Sequence, residues 1–212
     1  MSIVQFAYLI IPGLVIGHVI GAWALTQQDQ SLGRVGTSCF RLCMVAAGAL
    51  IGFIAAGFPP WPSMAVAGLG WALLAVSALD LRAMVISDGM ALPVAAAGLV
   101  MAALDGMAVL ALHAAAALAG FLAVWLVSRG IRMARGVEAI GSGDAVLLAA
   151  AGAWVGPDLL PVVMVTSGLV GMCALGVMAA ASGASLQTRI PFGPAIALAA
   201  WLAYVLKLSG GI

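Results

Sequence analysis

Residues 139–156 read Ala139-Ile140-Gly141-Ser142-Gly143-Asp144-Ala145-Val146-Leu147-Leu148-Ala149-Ala150-Ala151-Gly152-Ala153-Trp154-Val155-Gly156. An aspartate stands directly behind two glycines, at the head of a long apolar run. In a water-soluble chain Ser142 or Asp144 would be read as a helix N-cap. What surrounds the stretch decides whether that reading holds. Of the 212 residues, 65% are apolar and 7% are charged, whereas a soluble domain carries roughly 25% charged residues. Apolar runs of roughly 20 residues recur along the chain, each long enough to cross ~30 Å of hydrocarbon. The composition therefore predicts an all-α, polytopic membrane helix bundle, with residues 1–212 forming a single integral-membrane domain. A net charge of +1 gives no argument for a nucleic-acid partner. The first apolar run, Ile3 to Leu25, lacks a basic n-region and a small-residue cleavage site, so it is expected to be a retained span.

Eight helices are expected, at residues 3–25, 39–58, 62–82, 89–104, 107–128, 139–156, 159–181 and 190–209. Turn residues separate them: Phe58-Pro59-Pro60-Trp61-Pro62, Asp105-Gly106 and Gly156-Pro157-Asp158. Charge placement then orients the bundle. Arg34 and Arg41 flank the first connection, and Arg82 lies in the third. Arg129, Arg132 and Arg135 crowd the fifth, and Arg189 precedes the last span. The alternate connections hold Asp105 and Asp158 but no Lys or Arg. All basic residues except Lys207 thus fall on one side. The positive-inside rule makes that side the cytoplasm and places both termini outside.

Gly13, Gly17 and Gly21 recur every four residues, as do Gly48 and Gly52. Small residues at this spacing let helix backbones approach closely in lipid. His18 and His113 are expected to be hydrogen-bonded packing residues, since neither has a second ligand at metal spacing. Cys39, Cys43 and Cys173 form no paired framework; small apolar packing is their expected role. The Arg129, Arg132 and Arg135 cluster, with Glu138, is expected to meet anionic lipid headgroups.

An ionisable residue within a span is costly and marks a functional site by default. Asp80, late in span three, and Asp144, early in span six, are the two such carboxylates. From Asp144 to Val155 is a run of only ~18 Å, too short to cross; starting span six at Ala139 draws Asp144 roughly 7 Å inward. Spans three and six run in opposite directions, so the two aspartates fall at similar depth near the basic face. Two carboxylates ~5 Å apart at an effective dielectric of about 20 repel by about 3 kcal/mol, so one keeps its proton while the other is ionised. That state activates water and protonates a carbonyl or leaving amine. The pair titrates jointly, and neither role is assigned to one residue. Alternatively, Arg82 neutralises Asp80 as a structural pair. Gly141 and Gly143 suit a close approach of substrate backbone or simply a flexible helix start. Asp88 and Glu138 belong to the interfacial loop, where either could line the path of an incoming substrate.

Three blocks carry a resemblance to the type IV prepilin peptidases, integral-membrane aspartic peptidases of the GxGD type. Gly141-Ser142-Gly143-Asp144 with its apolar tail through Gly152-Ala153-Trp154 is similar to the family's GxGD block. Ala78-Leu79-Asp80-Leu81-Arg82 through Ser87-Asp88, followed by Leu92-Pro93 and Gly98-Leu99, resembles the block holding the first aspartate. Ile190-Pro191-Phe192-Gly193-Pro194 resembles the C-terminal block, and Gly13-Leu14-Val15-Ile16-Gly17 is a weaker echo. The resemblance implies that Asp80 and Asp144 are catalytic, with Gly141, Ser142 and Gly143 supporting, and that no metal or cofactor is used. It implies cleavage of the basic leader of prepilins or pseudopilins, just after a glycine, at the cytoplasmic face of a bacterial inner membrane. Ser87-Asp88 departs from the family's usual Pro-Asp. The connection Thr26–Ser38 is too short for the methyltransferase domain that many members carry there, so a peptidase without N-methylation is expected. The alternatives are a GxGD peptidase acting on other membrane proteins and a non-catalytic subunit of a pilus or secretion assembly. A small transporter with the aspartates as a proton relay would need a polar path outward that spans three and six lack beyond Ser77.

Overall fold

The structure, a computed structural model, describes residues 3–27, 34–136, 141–182 and 191–210. Among them are eight α-helices: α1 (Ile3–Thr26), α2 (Arg34–Ala55), α3 (Pro60–Ala83), α4 (Asp88–Leu104), α5 (Met107–Arg135), α6 (Ser142–Val155), α7 (Leu160–Ser182) and α8 (Gly193–Leu208). The all-helical class follows the composition. α1, α2, α3, α5 and α7 contain stretches long and apolar enough to cross a membrane, whereas α4, α6 and α8 have 17, 14 and 16 residues. Leu112, Leu118, Leu126, Val165, Leu169 and Met172 stand exposed on α5 and α7, an apolar outer surface suited to lipid. The chain is a multi-pass membrane protein.

Several boundaries differ from expectation. α2 begins at Arg34 rather than Cys39. α5 continues through Arg135 instead of stopping at residue 128, so its arginines occupy the last turns of a helix rather than a loop. Gly136, at φ 67°, ends it and donates its N–H to the Arg132 carbonyl. A left-handed terminator costs a glycine little, which is why the helix runs until Gly136 and not before. The Arg129 guanidinium lies 5.8 Å from the Trp125 ring centroid, a packing that favours helix continuation there. Another difference, at the start of α6, bears on the site.

Backbone contacts separate two compact units, Met1–Met84 and Val85–Ile212. In the first, α1 and α2 meet along their glycines. A methyl on Gly13 would strike the Gly48 carbonyl, and one on Gly52 the Leu9 carbonyl. This is the close small-residue packing the four-residue spacing predicts. Trp71 of α3 donates its indole N–H to the Gly48 carbonyl at 3.1 Å. Ile20, Ala24, Met44 and Ala78 form the buried cluster, flanked by Phe40 and Leu74. His18 is exposed on α1, contrary to its expected packing role, and so are all three cysteines. The i, i+3 and i+4 positions that face inward on α1 are held by its glycines, which leaves His18 on the outer face.

In the second unit α6 packs against α4, α5 and α8, and α7 lies against α8. Leu147, Leu148 and every residue from Ala150 to Val155 are buried, as expected of a helix that is apolar all round. Small residues set the spacing. A methyl on Gly152 would stand 2.6 Å from the Ala116 carbonyl oxygen, and one on Gly120 2.7 Å from that of Leu148. α5 and α6 therefore run backbone against backbone. Phe192, immediately before α8, fills the notch left by Gly171 on α7.

Candidate active site

The first turn of α6 carries the sequence block from which the argument began. Gly141 is extended, at φ −67° and ψ 145°, and acts as the N-cap residue. Ser142 therefore opens the helix, and half-buried Asp144 is its third residue. The Asp144 amide lies 3.2 Å from the Gly141 carbonyl oxygen. Its Oδ2 is 3.5 Å from where a methyl on Gly141 would sit. The carboxylate thus folds back over the start of its own helix, where the unpaired amides favour negative charge. This corrects one expectation: the helix does not begin at Ala139, so no extra turn draws Asp144 inward. Bilayer thickness sets the length of a span only where the span meets lipid along its course. α6 is enclosed by α4, α5 and α8, and the bilayer thickness does not fix the length of an enclosed helix.

The two glycines of the block are not equivalent. A methyl on Gly143 would lie 2.6 Å from Ile86 Cβ and 2.8 Å from the Ile86 carbonyl oxygen. The space expected to admit a substrate backbone is thus occupied at Gly143 by the chain's own Ile86, in the segment 85–87. That segment runs without helix into α4. Gly141 is exposed and meets only the Asp144 carboxylate. Ser142 is exposed on the first turn.

Asp80 lies in the last turn of α3 and is 5% exposed. Its carbonyl accepts the N–H of Met84, which closes the helix at φ 51° and ψ 38°. Met84 is the one non-glycine residue with positive φ among those described. A side chain in that region costs roughly 1–2 kcal/mol, and such strain concentrates at functional segments. Arg82 is also buried, 8% exposed, with its guanidinium 5.8 Å from the centroid of Phe40 and no partner for Nε. Residues two apart on a helix face different ways, so Arg82 turns toward α2.

Asp88 is exposed in the first turn of α4, behind the extended N-cap Ser87. Glu138, the other residue assigned to the substrate's path, lies outside the described residues. Among those described, no three His, Cys, Asp or Glu side chains group as metal ligands.

The apolar tail of the block has a structural task that the sequence did not reveal. Trp154 donates its indole N–H to the Val94 carbonyl at 2.7 Å and stands edge-on to Tyr204, with centroids 5.1 Å apart. Gly98 makes room for it, since a methyl there would lie 2.7 Å from the Trp154 ring. The Gly152-Ala153-Trp154 and Pro93-to-Gly98 stretches, 60 residues apart by the hydrogen bond between them, are one packing unit. The only sequence signal for it is the isolated Gly98 inside an apolar helix.

Comparison with known proteins places these blocks. Residues 67–176 match the type IV leader peptidase family. The chain belongs to the type IV leader peptidase family. That match takes in Asp80, Asp88, Ile86 and the whole of α6. A prepilin leader peptidase/N-methyltransferase from Aeromonas hydrophila is 37% identical over 146 residues, covering 68% of this chain and 50% of the relative. Relatives with the same name from Burkholderia pseudomallei (strain K96243) and Pseudomonas aeruginosa are 37% and 34% identical. They cover 85% and 88% of this chain, and 62% and 68% of their own lengths. The chain thus spans about half the length of the first of these curated relatives. No solved structure matches it.

Proposed function

We propose that this member of the family is a membrane-embedded aspartic endopeptidase that removes the basic leader from type IV prepilins or type II secretion pseudopilins. Asp80 and Asp144 are its catalytic pair. The observation that carries the reading is the family match over 67–176, a stretch that contains both carboxylates. In the reaction the ionised carboxylate takes a proton from water, which attacks the scissile carbonyl. The protonated carboxyl then supplies the proton that the leaving amine needs. The substrate segment must be locally unwound, because a helix hides its carbonyls in hydrogen bonds. Residues 1–212 act together as one peptidase.

The enzyme works in the bacterial inner membrane with its carboxylates near the cytoplasmic face, on the side that the arginines mark. It does not methylate the new N-terminus. α1 ends at Thr26 and α2 starts at Arg34, a connection too short to hold a methyl-donor site. Substrate and surrounding lipid are the partners, and no metal or cofactor takes part. The test is co-expression with a prepilin. Asp80→Asn and Asp144→Asn should each abolish the mobility shift of leader removal, a loss of at least about 1,000-fold as expected for deleting one member of an acid–base pair. Both variants should still insert into the membrane. Normal processing by either variant refutes the assignment.

A further inference from the structure

The second unit places a further carboxylate, Asp88, at the level of Asp144, and the proposed chemistry leaves it unused. Contacts along α4 and the segment leading into it set their register against α6. A methyl on Gly143 would meet Ile86 Cβ at 2.6 Å, and one on Gly98 would meet the Ala153 carbonyl carbon at 2.9 Å. Trp154 donates to the Val94 carbonyl at 2.7 Å. The two helices therefore run in the same direction. The pairs Ile86–Gly143 and Gly98–Ala153 are 57 and 55 residues apart in the chain. Asp88 and Asp144 are 56 apart, so the same register sets them side by side. α6 is also pinned at its far end, where Lys207 of α8 donates to the Val155 carbonyl at 3.1 Å. There His113 Nδ1 of α5 lies 2.8 Å from the Ala153 carbonyl oxygen. A helix held at both ends cannot slide along its neighbour, and the level of the two aspartates is fixed.

Their surroundings differ. Asp144 is half-buried over the start of its own helix, whereas Asp88 is exposed in the first turn of α4. The other described aspartates of this unit, Asp105 and Asp158, stand beyond the opposite ends of α4 and α6. α5 runs against α6, as Gly152 beside Ala116 and Gly120 beside Leu148 require. Its exposed Arg129 and Arg132 therefore come to the same end as Asp88. A basic leader arriving at that end is repelled by α5, and among the described residues of the unit Asp88 is the exposed carboxylate that can receive it.

We propose that Asp88 is a specificity-determining residue: its carboxylate takes the ammonium or guanidinium of a basic leader residue just before the cut. The proposal rests on the peptidase reading, with Asp144 at the scissile bond. Packed helices stand ~8–10 Å apart, and an unwound chain covers ~3.3–3.6 Å per residue. A segment whose scissile carbonyl faces Asp144 therefore brings to Asp88 the residue two or three positions away. An exposed ion pair of this kind is made in the bound substrate and in the transition state alike, so it lowers KM and leaves kcat nearly unchanged. An acid in the first turn also favours the helix itself, but that role does not depend on the charge of the substrate.

The test is charge reversal on both partners, with the full chain in detergent and purified prepilin as substrate. Asp88→Asn should raise KM for leader cleavage about threefold and Asp88→Lys about tenfold, with kcat within about twofold of wild type. Glu in place of the basic leader residue two or three positions before the cut should raise the wild-type KM by a similar factor. Asp88→Lys should cleave that Glu substrate with KM restored to within about threefold of the native pair, and Glu at more distant leader positions should restore nothing. Asp88→Asn keeps the shape of the side chain, and for it the penalty of the Glu substrate should vanish; this arm carries the test if Asp88→Lys fails to insert. An unchanged KM in Asp88→Asn overturns the proposal. So does a raised KM with neither rescue nor loss of the penalty, which would leave Asp88 serving only the start of α4. Equal rescue from every leader position overturns it too, since diffuse attraction has no register. Failure of the unaltered enzyme to cleave native prepilin would instead refute the peptidase reading.

Discussion

Substituting the two glycines of the Gly141-Ser142-Gly143-Asp144 block by alanine separates packing from substrate access. At Gly143 the new methyl would sit 2.6 Å from Ile86 Cβ, 2.8 Å from its carbonyl oxygen and 3.3 Å from its Cα, where ordinary contact begins at 3.4 Å. None of these atoms moves with a side-chain rotamer, so residues 85–87 or the first turn of α6 must shift by about 0.8 Å. Overpacking of this kind costs about 1–3 kcal/mol, of which alanine's better helix propensity returns up to about 1. The methyl stands one residue before Asp144, and a misplacement near 1 Å of a catalytic group costs on the order of 100-fold in rate. Gly143→Ala should therefore lower prepilin cleavage by about 30- to 100-fold and reduce the melting temperature in detergent. Gly141→Ala should stay within about twofold of wild type, because its φ of −67° suits any residue and its methyl would stand at an ordinary 3.5 Å from the Asp144 carboxylate. Processing of a co-expressed prepilin, followed by gel mobility against enzyme abundance, reads both. If Gly141→Ala loses as much activity as Gly143→Ala, the block serves substrate approach and the Ile86 argument is wrong. Wild-type activity in Gly143→Ala would refute it equally.

Three further outcomes follow from the geometry. Trp154→Phe keeps a ring against Tyr204 but leaves the Val94 carbonyl without its indole donor; a loss of about 1–2 kcal/mol is expected in a detergent unfolding titration. Met84→Gly removes the left-handed strain at the end of α3, and should raise stability by about 1 kcal/mol with expression unchanged. Ser87→Pro restores the dipeptide usual in the family. Ser87 has φ −78° and makes no side-chain cap, so the ring fits, and the melting temperature should rise by the equivalent of about 0.5 kcal/mol with cleavage retained.

What could be read in the sequence was what composition and period control. The glycines of α1 and α2 announced a close helix pair because a four-residue spacing places them on one stripe, and that stripe is where the helices meet. Most of the apolar segments became separate helices because their breaks carry Pro or Gly, which act locally; the break after α3, Met84 to Ser87, carries neither. The start of α6 was misjudged because its length was referred to the bilayer, while its neighbours are protein. The end of α5 was misjudged because a run of arginines looks like a loop, while nothing in Arg129 to Arg135 breaks a helix before Gly136. Long-range pairings left little trace. Ile86 against Gly143, Trp154 against Gly98 and Lys207 against His113 join residues 56 or more apart in the chain, and no local pattern encodes a partner at that distance. Lys207 was legible only as the basic residue that broke the charge rule.

That exception and the short helix explain one another. α6 has 14 residues, ~21 Å of helix against ~30 Å of hydrocarbon. An enclosed helix tolerates such a shortfall only if its bare ends find polar partners, since a buried carbonyl without one costs roughly 1–3 kcal/mol. At the C-terminal end Lys207 and His113 supply them, so the one cation that departs from the charge pattern of the sequence serves as a cap for α6. At the N-terminal end the Asp144 amide meets the Gly141 carbonyl. Fixing one end of a helix that is too short leaves the deficit of ~9 Å at the other. Asp144 stands at that end. On the proposed reading of Asp144 as a water-activating carboxylate, a short, enclosed helix capped at its far end offers both rigid support and access to water.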